Sequence, residues 1–101
     1  MSYYTQPFAP AYGSGVAVTP GAASAVQYIP NNATAVEITN TGTVTCAVKF
    51  GETSSITASL TTDYIILAGM KVVITKPRDW KYFAHIGTAA GSLHVIPGEG
   101  F

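Results

Sequence analysis

Three side chains of this 101-residue chain carry intrinsic chemistry for catalysis or metal binding: Cys46, His85 and His94. A thiol beside an imidazole makes a nucleophile and base, because a neighbouring imidazolium lowers the thiol pKa. Cys46, however, shares its phase with Val44, Val48 and Phe50 in the run Val44-Thr-Cys-Ala-Val-Lys-Phe50. Period two puts that set on one face of a strand, with Thr45, Ala47 and Lys49 on the other. In such company a lone cysteine is a small core hydrophobe. His85 and His94 are expected on successive strands, facing outward and near one another across a ladder. A metal site takes three or four ligands, and no cysteine or carboxylate accompanies the pair at a suggestive spacing. They read as solvated groups that tune an interface; a metal on a symmetry axis is the arrangement that would need the fewest ligands from each chain.

Glu37, Glu52, Asp63, Asp79 and Glu99 stand singly. A glycosidase holds two carboxylates about 5 to 9.5 Å apart, and a chain this short has little length left to wall a substrate cleft. The glycines of Pro97-Gly-Glu-Gly-Phe101 precede no helix, so they do not form a phosphate-binding loop. These residues assign no catalytic, cofactor or metal site, and the expectation is a protein that is not an enzyme.

The elements that would position these groups are short strands. Val16-Ala-Val-Thr19 stops at Pro20-Gly21, and Ala25-Val-Gln-Tyr-Ile29 stops at Pro30-Asn-Asn32, both turn signals. Thr34 to Asn40 alternates, Asn40-Thr-Gly-Thr43 turns, and the Cys46 run follows. Residues 51–62 read as a Ser/Thr-rich loop with at most one short strand. Tyr64 to Leu67, Met70 to Thr75, Trp80 to Ile86 and Leu93 to Ile96 complete the pattern, the last placing Leu93 and Val95 opposite His94 and Ile96. No segment keeps helical spacing for three turns, and β-branched residues dominate. The prediction is an all-β chain: a small antiparallel β-sandwich or jelly-roll-like barrel over residues 16–101, preceded by an extended arm, residues 1–15.

The arm MSYYTQPFAPAYGSG places Tyr3, Tyr4, Phe8 and Tyr12 among two prolines and two glycines. Pro and Gly deny it regular hydrogen bonding, whereas disordered tails are poor in aromatics. Tyrosine and phenylalanine bring large apolar area with few rotors to freeze. These four are therefore the candidate partner-binding residues, lying over an adjacent subunit or over the chain's own sheet.

Composition narrows the function classes. Charged residues are only 10% of the chain and hydrophobic ones 48%, against roughly 25% charged in ordinary soluble domains. A neutral outside suits a subunit packed in an assembly. Five basic residues balance five acidic ones, leaving no stripe to neutralise phosphates, so nucleic acid is not an expected partner. The longest apolar run, Tyr64-Ile-Ile-Leu-Ala68, is far short of the roughly 20 residues of a membrane helix. No basic-then-apolar leader is visible, and one cysteine fits synthesis in a reducing compartment.

Three stretches, ITNTGTVTCAVKFG, DYIILAGMKVVIT and FAHIGTAAGSLHVIPGEGF, together resemble small all-β virion proteins of tailed bacteriophages, particularly those that decorate or cement the capsid. The similarity covers about two thirds of the chain, from Val36 to Phe101, and lies in turn chemistry. It implies a non-enzymatic structural subunit made in the host cytoplasm and seated on the capsid exterior. It further implies a homo-oligomer, often a trimer, whose partner is the major capsid protein and whose extended terminus grips neighbouring capsomers. The alternative within virions is a tail, collar or fibre-associated module, or an adhesin using Tyr64, Trp80 or Phe83 as a platform for host glycans.

Overall fold

Short β-branched and aromatic runs closed by Pro, Gly and Asn fold into nine strands in a computed structural model that describes residues 8–29 and 33–100. They are β1 (Phe8–Pro10), β2 (Val16–Val18), β3 (Ala25–Tyr28), β4 (Ala35–Asn40), β5 (Cys46–Gly51), β6 (Tyr64–Ile66), β7 (Lys71–Thr75), β8 (Tyr82–Gly87) and β9 (Leu93–Gly100). No helix occurs among the described residues. Sheet I runs β1-β9-β4-β7, with β2 also paired to β9, and sheet II runs β3-β8-β5-β6. Every pairing is antiparallel.

One core lies between the sheets. Val18, Val36, Ile38, Leu93 and Val95 enter it from sheet I, and Cys46, Val48, Ile66 and Phe83 from sheet II. Val44 and Phe50 pack on its margin, so the β5 face expected from period two is the face observed. Residues 52–63 contain no strand. They fold back over sheet II instead: Ala58 is buried, and its N–H donates to Ser24 Oγ at 2.8 Å.

Asn40 does more than turn the chain. It is 1% exposed. Its side-chain amide donates to Val44 O (2.8 Å) and Ile66 O (3.0 Å), and its Oδ1 accepts from Gly42 N–H (3.1 Å). One side chain on sheet I thereby satisfies carbonyls at the start of β5 and at the end of β6, tying the two sheets at one end of the molecule. Buried carbonyls that lost this donor would bear the full cost of desolvation.

The expectation that proline and glycine keep residues 1–15 out of strands is corrected for residues 8–10. Phe8, Ala9 and Pro10 pair with Gly100, Glu99 and Gly98 of β9, and Val16 to Val18 pair with Val95 to Leu93. Segment 8–18 is thus one interrupted edge strand, in which residues 11–15 bulge out opposite Ile96 and Pro97 alone. Pro97 explains the interruption. Thr41 N–H donates to Ser92 O, and that phase directs residues 93, 95 and 97 of β9 toward β1 and β2 rather than toward β4. The donor Pro97 lacks is therefore one that the edge strand would have used, and the β4 ladder loses nothing. Only the Pro97 carbonyl takes part, accepting from Ala11 N–H at 2.9 Å. The bulge turns at Gly13, whose φ of 84° favours glycine.

Candidate interaction face

The residues singled out for chemistry are held apart. Cys46 is fully buried, burial pushes its thiol pKa up, and its Sγ lies 3.8 Å from Val44 O. A thiol held protonated and away from solvent is a poor nucleophile. His85 reverses its expected phase: it points inward on β8 and is 5% exposed. Its register partner is Val48 and its ring centroid is 5.5 Å from that of Phe83. The cause is competition between the two faces of one strand. Phe83 and His85 share a phase, and Phe83, paired with Phe50, takes the core position and carries His85 in with it. His85 Nδ1 is buried without a hydrogen-bond partner, and desolvation holds its pKa below the ordinary histidine value. His94 does face outward, but on β9 of sheet I. The two histidines therefore lie in different sheets and are not neighbours across a ladder. Among the described residues no three of His, Cys, Asp and Glu are grouped to hold a metal ion, and no helix is long and apolar enough to cross a membrane.

The charged groups mostly satisfy one another. Arg78 Nη1 donates to Glu99 Oε1 at 3.1 Å, and Arg78 Nη2 approaches Oε2 at 3.4 Å. The Thr34 hydroxyl also donates to Glu99 Oε2. The Thr34 bond first and the Arg78 bonds second hold the Glu99 carboxyl below its usual pKa. Lys76, buried beside them, donates from Nζ to Ala33 O (2.7 Å) and Pro77 O (3.3 Å), and desolvation lowers its pKa. A groove of about 350 Å³ runs past Ala9, Pro10, Ala11 and Ala33, with Arg78 and Glu99 in its wall. Its two charged groups are already engaged with each other, which suits latching β1 in place rather than chemistry.

The aromatics of the arm divide. Phe8 is half-buried on the outer face of sheet I. A Cβ on Gly98 would run into the Ala9 carbonyl oxygen and come within 2.9 Å of the Phe8 ring, so glycine at 98 lets that ring lie flat on the sheet. Its neighbour in register, Ala35, is completely buried although it faces away from the core. Phe8 is thus covered by its own sheet, one of the two placements expected. Tyr12, at the tip of the 11–15 bulge, is 87% exposed. Tyr3 and Tyr4 lie outside the described residues.

The outer face of sheet II is apolar, and the 52–63 loop lies on part of it: the Ile56 side chain sits against the outward side of Gly51, and Ala47 and Ala84 are fully buried. In register across it lie Tyr28 and Tyr82, then Val26 and Ala84 beside Lys49, then Ile86, Ala47 and Ile65. Tyr28 and Tyr82 meet edge to face, with centroids 5.5 Å apart. Ala47 and Ala84 form a floor between larger neighbours, while Tyr28 (48%) and Ile65 (36%) stand exposed. Lys49 is the one charged side chain in these rows. The exposed Tyr28 ring at the margin of this face is of a residue type enriched at interfaces. Trp80 and Tyr64 are also exposed, but Phe83 is fully buried, which removes it from any glycan platform.

This face was missed in the sequence although a signal was present. Tyr82, Ala84 and Ile86 are as apolar as the Phe83 phase, as are Val26 and Tyr28 on β3. Apolar residues on both phases of a strand mean cover on both sides. No known protein-family model matches the chain, and no curated protein shows significant similarity to it.

Proposed function

We propose that the chain is a non-enzymatic bacteriophage virion structural protein, a decoration or cement subunit that binds the major capsid protein on the capsid exterior. The observation that carries this reading is the pair of exposed neutral side chains Tyr28 and Ile65, left open on the outer face of sheet II beside the 52–63 loop that lies across it. Such a face is suited to a fixed place in an assembly. Two further features support it. From β2 to β9 the chain crosses between the sheets at every connection except β5 to β6, in the order β2-β9-β4-β7 and β3-β8-β5-β6. That is the strand order of a jelly roll, an architecture used by capsid and lectin domains among others, although fold alone assigns no function. The second is exposed Tyr12 on its bulge, which offers an anchor set apart from the sheet face. Tyr3 and Tyr4 remain proposed anchors of the same arm. Several modest contacts per subunit, repeated over a symmetric shell, give firm attachment through multivalency.

The test is co-sedimentation of purified protein with capsids that lack it. Wild-type protein is expected to pellet with the particles. Ile65→Glu, folded by circular dichroism, is expected to stay in the supernatant, and Tyr12→Ala to bind more weakly. Failure of the wild type to bind any capsid or tail preparation from its own phage would overturn the reading.

A further inference from the structure

The open edge of sheet I carries its own instruction for pairing. Strand β7 pairs with β4 alone. Asn40 N–H donates to Met70 O (2.9 Å) and Lys76 N–H to Thr34 O (2.8 Å). This phase assigns the even-numbered residues Val72 and Ile74 to the β4 ladder, leaving Lys71, Val73 and Thr75 to turn their N–H and C=O groups to the outside. An uncovered row of this kind is a template for another strand.

The β1–β2 and β6 edges are interrupted or short. The β1–β2 edge is broken by Pro10 and by the 11–15 bulge. Strand β6 is three residues long, and the 52–63 loop crosses to β3, where Ala58 N–H binds Ser24 Oγ. Strand β7 has neither proline nor bulge, and three of its five residues are Val72, Val73 and Ile74. Its only charge is Lys71.

We infer that β7 pairs antiparallel with β7 of a second copy, about a two-fold axis through Val73, joining two copies of sheet I into one continuous sheet. The register identifies the occupant. Centred on Val73, the pairing sets Val73 against Val73, Val72 against Ile74 and Lys71 against Thr75, so β-branched residues meet β-branched residues and no lysine faces a lysine. All three outward-turned residues of each copy gain both backbone hydrogen bonds. The same symmetry carries the corner that holds exposed Leu67 and Met70 toward the partner's corner after β7, where Trp80 is exposed. The pairing is independent of the virion reading, since it involves only copies of this chain.

Sedimentation velocity on the full chain tests it. The wild type is expected to be a dimer. Val73→Pro removes an N–H that β4 does not use, so it is expected to keep its circular dichroism spectrum and to weaken dimerisation at least about tenfold. Should Val73→Pro fail to fold, Val73→Lys and Val73→Glu decide: each alone sets like charges face to face and is expected to be monomeric, and an equimolar mixture is expected to recover the dimer. A wild-type monomer or trimer overturns the proposal. So does a folded Val73→Pro that remains fully dimeric, or a charge-swapped mixture that stays monomeric. Capsid binding by a protein that proves monomeric would leave the proposed function standing while this pairing fails.

Discussion

The outer faces of the two sheets come from one short, charge-poor chain and are chemically unlike. On sheet I, Glu37, Thr39, Lys71, Thr75 and His94 alternate with core residues, Lys71 Nζ approaches Glu37 at 3.9 Å, and the Phe8 ring covers the apolar corner at Gly98. On sheet II the equivalent rows hold Tyr28, Tyr82, Val26, Ala84, Ala47, Ile86 and Ile65, with Lys49 as their one charge. An exposed pair such as Lys71–Glu37 adds little stability. What it does is keep that face at home in water. One face is wetted by its own charges, whereas the other is crossed by the 52–63 loop and leaves Tyr28 and Ile65 exposed beside it.

Four experiments would break or sharpen this contrast. The largest effect is expected at the tie between the sheets. Asn40→Ala strands the Val44 and Ile66 carbonyls and should lower stability by about 3 kcal/mol; urea denaturation checks this, and a cost under about 0.5 kcal/mol would mean the tie is dispensable. Next, Tyr28→Glu on sheet II should weaken particle binding at least about a hundredfold, while Thr39→Glu on sheet I should change it less than about threefold. Equal sensitivity of both faces in that binding titration would erase the contrast.

A smaller effect is expected at the arm. Phe8→Ala should cost about 1.5 kcal/mol and speed amide exchange in β1, whereas Tyr12→Ala should leave the melting temperature unchanged because its ring touches mainly solvent. The smallest effect is in acid. His85 is held below its ordinary pKa, so the unfolded chain binds more protons than the folded one, and stability should decline as the pH falls below about 6.5. Glu99, also held low, adds a second decline as the pH falls further, below the ordinary glutamate range. Replacing His85 with Leu should remove the first decline and leave the second, as read by denaturation midpoints from pH 7 down to about pH 3.

Much of the fold was legible in the sequence because period two is a local property. Val44, Cys46, Val48 and Phe50 needed no knowledge of their partners to be placed on one face, and Leu93 and Val95 separate from His94 for the same reason. What could not be read locally is which of two apolar phases wins. On β8 the choice between the Phe83 phase and the Tyr82 phase is settled by Phe50 on a strand 33 positions earlier, and with it the burial of His85. The arm failed for a related reason: Pro10 looks like a strand breaker until Gly98, far along the chain, is seen to take a strand that wanders. Of the candidate site, Tyr12 was visible and the sheet II face was not, since that face exists only after four separate segments are laid side by side.

The place of β9 has a consequence for how this protein comes into being. It is the last of the nine strands to be synthesised, yet it lies between the edge strand and β4. Until it emerges from the ribosome, β1 and β2 have no hydrogen-bonding neighbour and the inner row of sheet I is missing Leu93 and Val95. The nascent chain must therefore carry its early apolar strands uncommitted through most of translation, at about 5 to 20 residues per second. Non-local closure of this kind is slow, and it leaves the early apolar strands open to encounters between unfinished chains.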